Sequence, residues 1–213
     1  MKSQINNLAS QRLVWLDALK GIGILLIMAC HAGLLPRVSI FLTAGYVSIF
    51  FVASGFTYKS KQTFSSEIGK RSKRLLLPYF FYVSLSIILM NIFQIKGDFI
   101  HQVLGMIYSR YSLYFGIKDV GDVSLLTQTC NSPTWFLTAL FTSLMVMYII
   151  KSLKWQWVVI TCLGLSVLTL YLPFLLPWSL DTAFVGALFI YLGKKIRGGN
   201  SGYRMVRLGL VVL

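Results

Sequence analysis

Two ionisable residues, Lys20 and His31, stand eleven residues apart inside the first long apolar run of the chain, Leu13–Leu35. Ionisable residues are rare in membrane-spanning helices because a charge in hydrocarbon costs several kcal/mol, so they indicate function. Eleven residues make about three helical turns, which places both side chains on one face, about 16 Å apart along the axis. Asp17 precedes Lys20 by three residues and falls on the same face. The run therefore predicts one functional stripe, with a cation near its start and an imidazole near its end.

The imidazole is the group best suited to acid–base chemistry. Because an imidazole titrates near neutral pH, His31 can act as a general base that takes a proton from a hydroxyl. A histidine inside a helix can instead bond to a neighbouring helix, and Asp17 with Lys20 can form a purely structural i,i+3 ion pair. Spacing alone leaves both interpretations open.

The composition places this stripe in a polytopic membrane protein. Of the 213 residues, 56% are hydrophobic and 12% are charged, and the mean hydropathy is +0.73. A soluble domain has about a quarter of its residues charged, whereas repeated runs of about 20 apolar residues match a bilayer. We therefore predict an all-α transmembrane helix bundle that forms a single membrane-embedded domain over residues 1–213, with a polar cytoplasmic leader at residues 1–12.

Six complete spans and the start of a seventh are predicted from the apolar runs and their boundaries. The six spans are Leu13–Leu35, Val38–Tyr58, Leu75–Ile95, Ser132–Ile150, Trp155–Leu172 and Trp178–Leu192, and the seventh run opens at Arg207–Leu213. Pro78 and Pro133 lie near the starts of their spans, where proline is tolerated. The connection Lys96–Ser132 has an apolar middle, Phe99–Phe115, which we expect to lie along the membrane interface.

The placement of the basic residues predicts the orientation of the bundle. The net charge is +14, and fifteen of the twenty Lys and Arg fall in segments on one side, four fall on the other, and Lys20 is buried. By the positive-inside rule, the N-terminus is cytoplasmic and His31 lies near the outer face. Because the basic residues flank apolar runs, nucleic acid is not an expected partner. The three cysteines show neither a disulfide framework nor a metal-site spacing.

Two arginines at the entry to the third span are candidates for binding a phosphate. Arg71 and Arg74 lie three residues apart, and forked guanidinium donors at this spacing can grip a phosphate from one helical turn. The alternative is a basic anchor that faces anionic lipid headgroups.

Three further residues have positions that can support a site. Ser54 lies among small residues between the aromatics of Phe50–Phe56, a pattern typical of close helix packing. Trp135 lies where an interfacial aromatic belt is expected. Asp181 lies near the outer end of the sixth span, at a depth similar to that of His31, where a carboxylate can orient an imidazole.

These residues belong to motifs that follow one another in a fixed order along the chain. In the residues and order of these motifs, the chain resembles acyltransferase family 3. This family of integral membrane proteins includes sugar O-acetyltransferases and fucose 4-O-acetylase-like proteins. The motifs are Leu16–Gly21 followed by His31, Phe50-Phe51 before Ser54-Gly55-Phe56, Arg71-x-x-Arg74 before Leu77-Pro78-Tyr79, Trp135-Phe136-Leu137, and Pro177-Trp178 before Asp181. The family's first helix carries an arginine, ten residues, then the histidine. Here Lys20 replaces that arginine, which keeps the charge but loses the forked donor.

The resemblance implies transfer of an acyl group, most simply acetyl, from cytoplasmic acyl-coenzyme A to a hydroxyl of a cell-envelope carbohydrate or lipid-linked sugar. It implies a bacterial inner membrane, no bound cofactor besides the acyl-coenzyme A donor, and no metal. In this interpretation His31 and Lys20 are catalytic, and Arg71 and Arg74 bind the donor. The supporting residues are Asp17, Ser54, Trp135 and Asp181.

Length separates this chain from the family that it resembles. Family members are longer, with about ten helices in the bilayer, so we expect this chain to correspond to the N-terminal two-thirds, with a C-terminal part that is missing or separately encoded. Two alternatives remain: an inactive truncated product, and a transporter or proton pathway in which Asp17, Lys20 and His31 relay ions. A transporter favours paired half-repeats broken by Gly or Pro, and the sequence shows no such pairing.

Overall fold

The computed structural model describes residues 14–31, 39–59, 63–93, 99–110, 134–172 and 174–198. Within these ranges all regular structure is helical, which confirms the predicted all-α class. The helices are α1 (Val14–His31), α2 (Ser39–Thr57), α3 (Phe64–Arg71), α4 (Leu77–Ile92), α5 (Phe99–Tyr108), α6 (Trp135–Ile150), α7 (Trp155–Leu170) and α8 (Leu180–Gly198). The leader at residues 1–12 and the predicted seventh run, Arg207–Leu213, lie outside the described residues.

Several helix boundaries fall where the apolar runs predict them. α2 begins at Ser39 and ends at Thr57, one residue inside the predicted run at each end. α7 begins at Trp155, directly after Lys154, and α6 begins at Trp135, two residues after the proline expected in its first turn. Charged residues and prolines stop these apolar runs sharply, which is why the sequence marks their ends well.

The third predicted span begins earlier than the sequence indicates. α3 and α4 form one continuous helix from Phe64, joined by a π-helical turn at Ser72–Leu76. Pro78 explains the turn, because proline has no N–H to donate to the carbonyl four residues back. The Leu77 N–H instead bonds to the Ser72 carbonyl, five residues back, as in a π-bulge. The basic residues directly before the predicted start at Leu75, which include Arg71 and Arg74, are therefore helical.

α8 also extends beyond its predicted end at Leu192. It begins at Leu180, after a 3₁₀ turn at Pro177–Ser179, and it continues to Gly198. Lys194, Lys195 and Arg197 therefore lie on the helix, not in a loop. Basic residues in a last turn favour such an extension because they complement the negative end of the helix dipole.

α5 packs antiparallel against α4, and the predicted position of Phe99–Phe115 along the membrane interface stays a prediction. The Tyr79 hydroxyl donates to the Met106 carbonyl over 2.7 Å, and the Asn91 amide donates to Gln102 Oε1 over 3.0 Å. With ten residues, α5 is about 15 Å long, too short to cross a hydrocarbon core of about 30 Å.

The bundle is organised around α8, which contacts α2, α6 and α7, while α1 packs on α2. α2 runs parallel to α8, since Phe51 lies near Gly186 and Phe56 lies near Arg197. α7 runs antiparallel to α8, since Trp155 at its start stacks on Tyr191. α7 and α8, which are joined by a short connection, therefore form an antiparallel pair, as expected for neighbouring helices of a bundle.

Only one helix of the described part, the continuous Phe64–Ile92, is long and apolar enough to cross a membrane by length and composition, with a mean hydropathy of 1.9. Val47–Thr57, α5, α6 and α7 are apolar but have 10–17 residues. The structure thus gives a helical bundle, and the six membrane crossings stay a prediction.

Glycines allow α2 and α8 to pack backbone against backbone. A Cβ atom on Gly55 would collide with the Ile190 carbonyl oxygen, and one on Gly193 would collide with the Val52 carbonyl oxygen. Gly186, nearer the start of α8, is packed under the Phe51 ring and Ser143. Small residues let helix backbones approach this closely, and such contacts stabilise bundles in lipid, where lipid tails are as apolar as the side chains.

We expect Gly193→Ala to destabilise the bundle by about 1–3 kcal/mol, because the new methyl group forces α2 and α8 apart. Gly164→Ala is the matched control, since a Cβ at Gly164 meets no atom within 4 Å. Thermal unfolding of both variants in detergent tests the expectation. An unfolding midpoint for Gly193→Ala equal to that of the control would contradict the close packing of α2 on α8.

Candidate functional site

Lys20 lies on the face of α1 that packs against the bundle. Leu16 is 2% exposed and Gly23 is buried, and Lys20, four residues after one and three before the other, lies between them on the helix surface. Lys20 is half-buried, whereas Asp17 is exposed. α1 is unbroken to His31, which keeps the spacing of eleven residues; the His31 side chain lies outside the described residues.

Contacts between α1 and α2 fix the level of Lys20 in the bundle. The Trp15 ring meets the Phe56 ring edge-on, with centroids 5.3 Å apart, and Gly23 lies against the Phe50 ring. Lys20 is therefore level with the C-terminal half of α2, and His31 ends α1 in the opposite direction. Ser54 in this part of α2 donates to the Phe50 carbonyl of the same helix over 2.8 Å, and its supporting role stays a prediction.

A cationic group, here the Tyr58 cluster, forms where α2 and α8 end and α3 begins. Its members are Tyr58, Glu67, Arg71, Lys194 and Arg197. The Tyr58 ring is 7% exposed, with Arg71 Cζ 5.0 Å and Lys194 Nζ 5.7 Å from its centroid. Glu67 Oε2 pairs with Arg71 Nη2 over 2.8 Å, and Arg197 donates to the Phe56 carbonyl. Three cations with one carboxylate leave the cluster positive, which suits an anion.

The structure does not bring Arg74 into this cluster. Arg71 is half-buried against Tyr58, whereas Arg74 is exposed. The π-helical turn makes the Arg71 and Arg74 side chains point in different directions. A π-helix rotates the chain less per residue than the regular α-helix that the sequence predicts. Among the described residues, the neighbour that joins Arg71 at the Tyr58 ring is Lys194.

A second polar group, the Arg110 cluster, lies at the opposite end of α8. We define it as Tyr108, Ser109, Arg110, Thr138 and Asp181. Arg110 Nη2 donates to Asp181 Oδ1, and Ser109 Oγ lies 2.6 Å from Thr138 Oγ1. The Asp181 side chain is 5% exposed and that of Arg110 14%, so this is a buried ion pair. It joins the end of α5 to the start of α8.

Asp181 is therefore held by Arg110 in the described part of the chain. Its Oδ1 also accepts the Thr182 backbone N–H over 2.7 Å, at the first turn of α8, where a carboxylate complements the helix dipole. The predicted contact of Asp181 with the His31 imidazole lies outside the described residues and stays a prediction.

Three non-glycine residues at this end of the bundle have left-handed backbone angles. They are Ser109 (φ 58°), Trp178 (φ 54°) and Ser179 (φ 55°). Such angles cost about 1–3 kcal/mol each and persist only where the surroundings enforce them, most often at functional sites. Here the Trp178 Nε1–H donates to the Ile107 carbonyl over 2.8 Å, and Thr142 donates to the Trp178 carbonyl over 3.0 Å.

Tyr108 adds a further link between α5 and the segment before α8. Its hydroxyl donates to the Leu175 carbonyl over 2.6 Å. Burial raises the pKa of the Tyr108 phenol above its usual value, although the nearby Arg110 guanidinium opposes the shift. The phenol therefore stays protonated and remains a donor at neutral pH.

A pocket of about 560 Å³ lies between α2, α7 and α8, beside the Arg110 cluster. Its walls are mostly apolar, and Trp135 and Asp181 are among its lining residues. Trp135 thus packs against the core and borders this cavity, and its place at a membrane interface stays a prediction. Within the described residues no group of three or more His, Cys, Asp or Glu is placed to hold a metal ion.

Sequence reasoning missed Glu67, Lys194 and Arg110. Lys194 and Arg110 lie outside the predicted spans, and their partners are distant in sequence. A signal for Glu67 was present, because it is the single acid in a basic run and precedes Arg71 by four residues, the spacing of a helical ion pair.

We expect removal of one partner of the Arg110–Asp181 pair to destabilise the protein by about 3–5 kcal/mol, because it leaves the other charge buried and uncompensated. Asp181→Leu and Arg110→Met should each lower the thermal unfolding midpoint. The double variant Arg110→Met/Asp181→Leu should recover most of the loss. Strictly additive losses in the double variant would contradict a direct pair.

Comparison with known proteins agrees with the motifs that these helices carry. No curated protein and no solved structure matches the chain. A model of the acyltransferase domain of the acyltransferase 3 family matches residues 13–213, which include every helix described above. The chain therefore belongs to the acyltransferase 3 family of membrane acyltransferases.

Proposed function

We propose that this acyltransferase moves an acyl group, most simply acetyl, from acyl-coenzyme A to a hydroxyl of a cell-envelope carbohydrate in a bacterial inner membrane. The donor binds on the cytoplasmic side, where the N-terminus lies, and the acceptor binds at the opposite face. The observation that carries the proposal is the placement of Lys20 on the packed face of α1, between a cationic cluster and the helix end that carries His31.

The Tyr58 cluster is the proposed site for the anionic part of the donor. Coenzyme A carries several phosphate charges. Arg71 and Lys194 supply cations at the Tyr58 ring, and Arg197 supplies a third at the nearby Phe56 carbonyl. The exposed Arg74 adds positive charge nearby without joining the cluster. In the proposed orientation this end of the bundle is cytoplasmic, where the positive-inside rule places basic residues.

Lys20 acts along the donor rather than at the reacting carbonyl. It lies about 16 Å from the level of His31 along the helix axis, too far for both groups to contact the same acyl carbon. An extended donor that enters at the Tyr58 cluster passes Lys20 on its way to His31. The ammonium stabilises negative charge on that path, in a setting with little water to screen it.

His31 is the proposed general base. It accepts the proton of the acceptor hydroxyl while the hydroxyl oxygen attacks the acyl carbon. The tetrahedral intermediate then expels the thiolate of coenzyme A, and the proton that His31 accepted passes to the thiolate, which leaves an ester, free coenzyme A and neutral His31. Asp17 is proposed to support the charge of Lys20.

The central test is transfer of labelled acyl groups from acyl-coenzyme A to carbohydrate in membranes that contain the full chain. We expect His31→Ala to lower kcat by about 100-fold or more, with insertion unchanged. Cys30→Ala is the matched control, since neighbours on a helix point about 100° apart.

Lys20→Arg should retain transfer activity and Lys20→Ala should lose it, because the proposed role of Lys20 depends on its positive charge.

Near-normal transfer by His31→Ala would exclude His31 as the base, and equal activity of the two Lys20 variants would exclude a role for its charge. Uptake of a solute without any labelled carbohydrate would contradict the enzyme and favour the transporter.

Donor binding at the Tyr58 cluster predicts that Arg71→Ala and Lys194→Ala each raise KM for acyl-coenzyme A about tenfold, as expected for one charge-assisted contact, while kcat changes little. Glu67→Gln separates this role from a structural one, because it releases the Arg71 guanidinium from its ion pair. We expect Glu67→Gln to keep or lower KM. A KM raised as much as in Arg71→Ala would show that the ion pair only supports the fold.

A further inference from the structure

The pocket between α2, α7 and α8 is open on one side and apolar over most of its wall. Phe51 and Phe189 form part of its floor, and Leu163 and Val167 on α7 line it while staying 46% and 52% exposed. The opening therefore faces the outside of the bundle, where lipid surrounds a membrane protein. A hydrocarbon chain can enter sideways, without passing through water.

Two buried polar atoms at this pocket have no hydrogen-bond partner among the described residues. They are Asp181 Oδ2 and Ser166 Oγ, and both residues line the pocket. Asp181 is 6% exposed. Buried polar groups are rarely left without a partner in native proteins, so each such atom calls for an explanation.

Charge decides what kind of group can supply the partner. Oδ1 of Asp181 is already taken by Arg110 and the Thr182 N–H, so the charge of the carboxylate is balanced. The remaining oxygen needs a donor, which an uncharged hydroxyl provides. A phosphate or carboxylate headgroup would instead place its own lone pairs against those of Oδ2.

We propose that this pocket binds one amphiphile, with its hydrocarbon chain along α7 and an uncharged, hydroxylated head that donates to Asp181 and bonds with Ser166. This is the chemistry of a sugar carried on a lipid. The inference rests on the proposed function for its carbohydrate acceptor, and it specifies that acceptor as lipid-linked. The volume of about 560 Å³ is that of an ordinary ligand site.

The test is photolabelling of the full chain in lipid nanodiscs with an alkyl glucoside that carries a diazirine in its chain. An alkyl phosphate with the same chain and diazirine is the matched probe for the head. Labelled peptides are mapped by mass spectrometry. We expect saturable labelling within residues 163–170 and 181–189, competed by unlabelled alkyl glucoside and at least tenfold weaker with the phosphate.

Variants on α7 test the position of the chain and head. Leu163→Trp fills the pocket and should lower labelling at least fivefold, whereas Leu168→Trp, on the same helix but outside the lining, should not. Ser166→Ala should lower the ratio of labelling by the alkyl glucoside to labelling by the alkyl phosphate. It should leave the thermal unfolding midpoint unchanged, because the Ser166 hydroxyl has no partner among the described residues. Val167→Trp replaces Leu163→Trp if that variant does not fold.

Several outcomes would overturn the proposal. These are unsaturable labelling spread over the lipid-facing helices, equal labelling by both probes, and no labelling because another segment of the chain fills the pocket. The assay measures binding alone, so it is separable from the proposed function. Labelling without acyl transfer would contradict only that function, and acyl transfer without labelling would contradict only the pocket.

Discussion

The backbone contact between α2 and α8 is the constraint on which the rest of the structure depends. Gly55 and Gly193 remove the side chains that would separate the two helices, and the carbonyl oxygens of Ile190 and Val52 occupy the space. Dispersion grows with close approach, and in lipid it replaces the hydrophobic drive of a soluble core. With α2 fixed on α8, α1 packs on α2, and α6 and α7 pack on α8.

Two polar clusters follow from this arrangement. Because α2 and α8 run parallel, their C-terminal ends meet, which brings Lys194 and Arg197 beside Tyr58 and the carbonyl of Phe56. At the other end, Asp181 at the start of α8 takes Arg110 from the segment after α5. Asp181 and Lys194 are thirteen residues apart on one helix, about 20 Å. One cluster is positive and the other is charge-balanced, so the two ends suit different ligands.

The fold was predictable where local physics decides it. The ends of α2 and the start of α7 follow from charges and prolines that bound apolar runs. The π-helical turn was not predicted, although Pro78 causes it, because a proline near an apparent helix start is indistinguishable from one inside a longer helix. That turn removed the premise of the Arg71–Arg74 pair, which assumed a regular α-helix.

The candidate site was predictable only in part, for the same reason. Lys20 was predictable because a charged residue inside an apolar run is evident from the sequence alone. The structure places Lys20 half-buried on the packed face of α1. Arg110 and Asp181 are 71 residues apart, and no periodicity in a single sequence connects them. The pocket beside them is formed by α7 and α8 together with α2, which lies far earlier in the sequence, so only tertiary packing reveals it.

The claim at the centre of this account is that donor and acceptor approach from opposite ends of the bundle. Sealed vesicles of known orientation test it directly, with a membrane-impermeant labelled acyl-coenzyme A supplied to one face and carbohydrate acceptor present at the other. We predict label in the carbohydrate only when the donor is supplied to the face that carries Tyr58 and Lys194. Transfer that requires the donor at the face carrying Asp181, or both substrates on one face, would contradict the account.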